Sequence, residues 1–333
     1  MMRLPFIIIF IYLSLWSIKA QNIPFYSQDQ RAVLLYNPAL VGMEDFTQVQ
    51  VGYKMFYPKI PNAPQLITAS IEFTLGNDLK QSTDQIRVSD KETLLEMADK
   101  GGVGVKHGLG FSFQGFDEFG IFFNRAIASY NLKLPLNEKL KFSGGVQLEY
   151  LGISVNPDKY TLRDEQNDQF YQSLLQSGSN ASYINVGLGA ALISDKFYAG
   201  VSVNNVVSSP LSDEPIDNID PDLMLTAHAA YYFDNFANIV ISPMLSFYKH
   251  PNLGDIYSGQ VRMFYKDIGY FGIGGGNRTS FYVPLGVNIT DFITINYTYS
   301  ILDQDKTGLG TSNHEIFLLF AIGNKKEAKR FNK

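Results

Sequence analysis

The chain has 333 residues, no cysteine, 20 Tyr and 25 Phe, and 27 Lys and Arg against 32 Asp and Glu. Without thiols it has neither disulfides nor thiolate metal sites, and its acidic balance argues against nucleic acid as a partner. Past Ala20 no run of about 18 uninterrupted apolar residues occurs, so no transmembrane helix is available and a membrane-spanning form must be a closed barrel. Met1-Met2-Arg3, an apolar run from Leu4 to Trp16, and Ser17-Ile18-Lys19-Ala20 read as a signal peptide, residues 1–20, cleaved after Ala20. Loss of Arg3 and Lys19 leaves 25 basic residues against 32 acidic ones, a mature net charge of −7. The only Trp, Trp16, leaves with the leader, so any belt at the lipid boundary must be built from Tyr and Phe.

Residues 21–45 carry Pro24, Phe25, Tyr26, Asn37 and Pro38 and do not alternate cleanly. They are predicted to form an irregular or partly helical N-terminal segment, either on the periplasmic side or plugging the barrel. Alternation then begins. Thr47, Val49, Val51, Tyr53 and Met55 oppose Phe46, Gln48, Gln50, Gly52 and Lys54, one greasy and one polar face of a strand. Ile67, Ala69, Ile71, Phe73 and Leu75 oppose Leu66, Thr68, Ser70, Glu72 and Thr74, and Pro58, Pro61 and Pro64 make the intervening stretch a loop. Residues 76–106 interrupt the rhythm. Within them Lys91 to Lys100, with Leu94 and Met97 on one side, predicts a short amphipathic helix with a solvated face.

Strands return from Leu109, with the cleanest alternation over Leu140 to Tyr150. A hairpin turns at Ser194-Asp195-Lys196 into Phe197 to Val203, and 208–222, with Pro210, Pro215 and Pro221, reads as a loop before Leu225. Further strands are predicted at 239–248, 256–264, 268–278, 280–287, 292–300 and 312–322, about fourteen in all. A strand such as Asp291 to Ser300, with Ile293, Ile295, Tyr297 and Tyr299 on one face and Thr294, Asn296, Thr298 and Ser300 on the other, fits a soluble sandwich or a barrel that turns its greasy face to lipid. Export, the aromatic load and an even strand number select an all-β, transmembrane antiparallel barrel over residues 46–323, followed by a basic tail at 324–333. With a periplasmic N-terminus, the long connections 156–180, 208–222 and 301–311 share the outer side and tight turns the inner side.

The chemistry that remains is sparse. Lys54, Glu72, Arg125, Gln147, Glu149 and Glu315 fall on polar faces and are candidates for the lumen, which their mixed signs would either leave conducting or cross-link shut. His107, His228, His250 and His314 are scattered, and the neighbours His314 and Glu315 point to opposite faces, so no metal site is assigned. Ser312, Asn313 and His314 cannot converge as a hydrolase triad from consecutive strand positions, and no catalytic residue or cofactor is assigned. At the rim, His314 is expected to bond to a loop and Glu315 to a luminal group. The triplet Gly274-Gly-Gly276 reads as a bend or a close backbone approach.

Several motifs in this layout resemble the PorP/SprF family of the Bacteroidetes type IX secretion and gliding system. They are Pro24-Phe-Tyr-Ser-Gln28, Tyr36-Asn-Pro-Ala-Leu-Val-Gly42, Ala63-Pro64 ahead of a strand ending Phe73-Thr-Leu75, Ala128 to Leu136, Phe197 to Asn205, and Gly310 to Ile316. The residues that carry the likeness are Pro24, Phe25, Ser27, Gln28, Asn37, Pro38, Gly42, Tyr198, Gly200, Ser312, His314 and Glu315. The resemblance implies a non-enzymatic component of the cell outer membrane, embedded in its lipid. Its role would be to assist export or surface attachment of particular secreted proteins, such as adhesins, gripped through a C-terminal domain, alongside periplasmic components of the system. A long 76–106 insertion and the basic tail depart from the family pattern. The residues themselves also allow an outer-membrane diffusion channel or hydrophobic-solute transporter with an N-terminal plug.

Overall fold

The computed structural model describes residues 35–44, 46–76, 105–137, 139–156, 180–212, 221–236, 238–250, 254–265, 268–302 and 312–322. The predicted leader, the helix at 91–100 and the tail at 324–333 lie outside the described residues. The first strands are β1 (Thr47–Phe56), β2 (Gln65–Leu75), β3 (Lys106–Glu118), β4 (Ile121–Pro135), β5 (Leu140–Val155), β6 (Asn180–Ser194) and β7 (Phe197–Pro210). They are followed by β8 (Met224–Tyr231), β9 (Phe233–Phe236), β10 (Ile239–His250), β11 (Gly254–Tyr265), β12 (Gly269–Gly276), β13 (Thr279–Asn288), β14 (Ile293–Leu302) and β15 (Ser312–Ile322).

Sequence neighbours pair antiparallel around the whole sheet, and β1 pairs with β15 from Thr47 opposite Ile322 to Phe56 opposite Asn313. The sheet therefore closes on itself. β8 and β9 are two pieces of one wall strand, both paired with β10, so the barrel has 14 strands. Their break at Tyr232 faces the stretch of β10 that contains Pro243, which has no N–H to give to a ladder. Pro284 sits in a similar gap, where β12–β13 pairing skips from Phe271 opposite Leu285 to Gly274 opposite Tyr282.

Alternation sorts the side chains as the pleat requires. On β1, Gln48, Gln50 and Lys54 are buried in the interior, while outward Val51 is 44% exposed; on other strands Ile67, Phe111, Val201 and Leu245 are 52%, 52%, 54% and 67% exposed. A wall of large apolar side chains on this scale is not a water surface, and it matches the lipid band of an outer-membrane barrel. Among the described residues no helix is long and apolar enough to cross a membrane, and the strands do the crossing.

The strand ends Phe56 and Gln65, Glu118 and Ile121, Val155 and Asn180, Pro210 and Met224, Gly276 and Thr279, and Leu302 and Ser312 share one rim, the one to which the sequence assigns the long loops. The other rim carries the opposite ends, including the closely spaced pairs Pro135 and Leu140, Ser194 and Phe197, Phe236 and Ile239, Tyr265 and Gly269, and Asn288 and Ile293. The predicted loop at 208–222 begins later than its sequence suggested, because β7 continues through Ser208 to Pro210. At 14 to 16 residues, β4 to β7 exceed the 9–11 or so that a tilted strand needs to cross lipid, so this part of the wall has strand to spare beyond the lipid band.

Candidate functional site

Residues 35–44 lie inside the barrel, not beneath it. Their path is set locally. Asn37, in extended conformation, accepts a hydrogen bond from Ala39 N at its Oδ1 (3.0 Å) and so caps a single 3-10 turn, Pro38–Leu40, whose first residue has no N–H to satisfy. Gly42 then takes a left-handed φ of +57°, where a side chain would also meet Thr74 Oγ1 at 2.7 Å and the Phe73 carbonyl at 2.8 Å. The turn thus leads the chain along the inner wall, from Tyr36 beside β7 to Gly42 beside β2, toward the start of β1.

The inner wall holds this segment almost entirely by its main chain. The Tyr36 carbonyl accepts from Ser202 Oγ (2.5 Å) and Asn204 Nδ2 (2.9 Å) on β7. Asn131 Nδ2 on β4 reaches both the Pro38 and Val41 carbonyls (2.9 and 2.7 Å), and Ser143 Oγ on β5 reaches that of Ala39 (2.6 Å). The Gly42 carbonyl accepts from Lys133 Nζ and from Thr74 Oγ1, while Gly42 N donates to Glu72 Oε2 at 2.7 Å. Buried carbonyls and N–H groups in a membrane interior require partners, and these side chains supply them.

Glycines carve the space. A Cβ at Gly145 would stand 2.6 Å from Ala39 N and Pro38 C, one at Gly110 2.7 Å from Val41 Cγ1, and one at Gly200 2.7 Å from Asn37 Nδ2; Gly108 and Gly189 are just as tightly covered by Val41 and Asn37. All five are at inward positions of β3, β5, β6 and β7. Towards the long-loop rim an apolar layer completes the closure. Leu35 and Tyr36 pack there with Leu66, Phe116, Ile127, Met224, Ile256 and Phe317, and the Tyr36 ring meets Tyr248 edge-on at 5.2 Å.

The polar lumen candidates all point inward, most of them in three hydrogen-bonded groups. Lys54 Nζ and Glu315 Oε1 form an ion pair at 2.7 Å between β1 and β15, both buried. Across β3 to β6, Arg125 donates through Nε (3.1 Å) and Nη2 (2.5 Å) to Glu149 Oε2 and through Nη1 to Gln114 Oε1 (2.9 Å), and Asn185 Nδ2 donates to Glu149 Oε1 (3.0 Å). Glu72 also accepts from Gln48 Nε2 at 3.0 Å. Gln147 is buried between these networks and the plug, against the bare backbone of Gly187. The mixed signs cross-link the wall. In the other half of the lumen, Tyr282 lies over Gly274 and Tyr270 over Gly286, so the glycine triplet does mark a close approach.

Of the motif residues, Asn37, Pro38, Gly42 and Gly200 meet at the plug, and Tyr198 packs beside it with Ala39 and Leu40. Ser312, His314 and Glu315 belong to a different region, where β15 closes on β1. His314 Nδ1 is hydrogen-bonded to Tyr297 Oη at 2.8 Å on the neighbouring strand, not to a loop as expected, because the register aligns it with the outward Tyr297 and Tyr299 rings. Pro24, Phe25, Ser27 and Gln28 lie outside the described residues. Sequence reasoning gave no site role to Asn131, Lys133, Ser143, Ser202 and Asn204, nor, Gly200 apart, to the glycines of the seat. The available signal was the recurrence of Gly, Ser and Asn at inward positions of β3 to β7, where a plain lumen would carry longer side chains.

A closed, lipid-faced antiparallel barrel that holds its own N-terminal segment within a polar interior defines an outer-membrane protein. The chain matches the profile of the type IX secretion system membrane proteins PorP/SprF over residues 18–320, and it belongs to that family. No curated protein matches it. Among solved structures it is similar to the Acinetobacter baumannii outer membrane protein Omp33 (12% identity, 84% of this chain and 100% of that one, TM-score 0.44). It is also similar to the Pseudomonas putida toluene transporter TodX (12% identity, 90% and 94%, TM-score 0.44) and to the CymD monoaromatic hydrocarbon channel (12% identity, 92% and 96%, TM-score 0.46).

Proposed function

We propose that this barrel is a non-enzymatic accessory of type IX secretion that binds particular secreted proteins, adhesins among them, through a C-terminal domain, and assists their export or attachment at the cell surface. Family membership supports the system, and the stopped lumen carries the reading of the mechanism. An interior filled by a backbone-anchored segment, an apolar layer and cross-linked polar groups leaves the rims as the working surfaces. In this reading the long-loop rim and the long-stranded β4–β7 wall meet the exported protein. The tight-turn rim meets periplasmic components of the system. Asn37, Pro38, Gly42, Tyr198 and Gly200 serve by seating the plug, Ser312 and Glu315 by fastening the last strand to the first, and His314 by fastening it to β14.

The test is a pull-down of the tagged barrel from detergent-solubilised outer membranes of its native cell, with bound proteins identified by mass spectrometry. Recovery of a secreted protein through its C-terminal domain, lost when residues 156–180 or 208–222 are deleted, is the expected result. A barrel recovered without a partner, and conducting ions in planar bilayers, would instead establish the channel reading.

A further inference from the structure

β7 outruns its neighbour on one side. Its last pair with β8 is Asn204 opposite Met224, whereas it stays paired with β6 as far as Pro210 opposite Tyr183. The parting point is Asn205, a non-glycine residue with a left-handed φ of +59°, whose Nδ2 donates to the Asp222 carbonyl at 2.8 Å and ties off the approach to β8. The β6–β7 register shifts at the same place. Beyond it, Val206–Pro210 is a strand with a partner on one edge only, among the described residues.

The open edge has a definite chemistry. Leu211 N donates to the Ser182 carbonyl at 2.8 Å, so by antiparallel alternation Val207 and Ser209 also turn their main-chain groups to β6, and Ser208 turns its N–H and C=O to the open side. Pro210, which has no N–H, is a residue type that strands tolerate on an edge. Residues 206–210 are all exposed, with Val206 at 43% and Val207 at 57%, and Leu211 continues the apolar stretch at 56%. Proteins ordinarily blunt such an edge with charge or cover, because it templates the pairing of another chain. Here no Lys, Arg, Asp or Glu lies between Val201 and Leu211.

The geometry points to Val206–Pro210 as a docking edge that takes up an extended segment of the secreted partner by strand addition, with Ser208 at its centre. This inference rests on the secretion reading above and names where and how the partner is held. The occupant is an uncharged, β-branched-rich stretch of a few residues, because the edge offers Val207 and Ser209 on one face and Val206, Ser208 and Pro210 on the other, none of them charged, with the Ser208 hydroxyl bonded to Asn185 Oδ1 at 2.7 Å. A second copy of the chain fits poorly. Two barrels in one membrane share their up direction, so their tilted β7 edges would meet in parallel sense and splay apart by about twice a strand tilt of 35–45°.

The test compares Ser208→Pro with Ser208→Ala in the full-length chain. Proline removes the open-side N–H and fills the place of an added strand while leaving the bonds of Val207 and Ser209 to β6. Alanine keeps the N–H and deletes only the hydroxyl contact with Asn185. Both are checked for a heat-modifiable, folded barrel and used in the pull-down above, with the secreted protein recovered by the unmodified barrel as probe. Roughly tenfold weaker retention by Ser208→Pro, with Ser208→Ala close to unmodified, is expected. Hydrogen exchange of the 206–211 segment in the unmodified barrel should also slow when the partner is bound. Equal retention by both variants, equal loss in both, unchanged exchange, or cross-linking of this edge to a second barrel would overturn the inference and leave the secretion reading standing. An unmodified barrel that recovers no secreted protein overturns both.

Discussion

Replacing Gly145 by alanine should drive the N-terminal segment from its seat. The added Cβ would lie 2.6 Å from Ala39 N and Pro38 C and 2.8 Å from the Pro38 carbonyl oxygen, all backbone atoms that cannot rotate away. Ordinary contact begins near 3.4 Å, so the turn must retreat by about 0.8 Å. That shift carries the bonds of Asn131 to Pro38 and Val41 and of Ser143 to Ala39, now 2.6 to 2.9 Å, to the limit of hydrogen bonding or past it. Three bonds lost where water cannot replace them destabilise the seated state by about 3–5 kcal/mol. The population of displaced segment then rises by about a hundredfold or more. Because the chain has no cysteine, a single Val41→Cys substitution, close to isosteric and fully buried, reports on this with a water-soluble maleimide. Labelling should be slow with Gly145 in place and at least about a hundredfold faster with Gly145→Ala. Gly144→Ala is the control, since a Cβ there meets only Phe142 Cε1 at 3.8 Å. Equal labelling in the two alanine variants would refute the claim that glycines cut the seat.

Asn131→Leu deletes both amide bonds to the plug at nearly constant volume, and the same thiol assay should show faster labelling without unfolding of the barrel. Lys54→Met or Glu315→Gln alone should destabilise the folded barrel by roughly 3–5 kcal/mol in urea titrations, and the double variant by much less, because each single change removes one half of a buried ion pair. Single variants that unfold with the unmodified midpoint would show that the pair is not acting as a buried ion pair. In planar bilayers the purified unmodified barrel should give no stable conductance steps, and ohmic channels would contradict the stopped lumen.

The period-two pattern made the wall legible. Strand Ser312–Ile322 was read with the ends it has, and the inward row Gln48, Gln50, Lys54 followed from alternation alone, since one face of every strand had to meet lipid. Other features depended on partners far along the chain. That β7 passes Ser208 could not be seen, because Pro210 signals a loop in sequence and is tolerated only when one edge is empty. The break at Tyr232 depends on Pro243 arriving opposite it. The Tyr297 partner of His314 depends on cross-strand register. The plug was harder still. Tyr36-Asn-Pro-Ala-Leu-Val-Gly42 read only as part of an irregular or partly helical segment, and its seat is made of residues scattered over six strands, β2 to β7, joined only when the barrel closes.

The most direct test of the account is a comparison of surface and secreted proteins, by quantitative mass spectrometry, between native cells with and without this barrel. Cells without the barrel should lose one or a few secreted proteins from the surface, retain them inside the outer membrane, and take up small solutes unchanged. An unchanged set of surface proteins together with altered solute uptake would contradict the account.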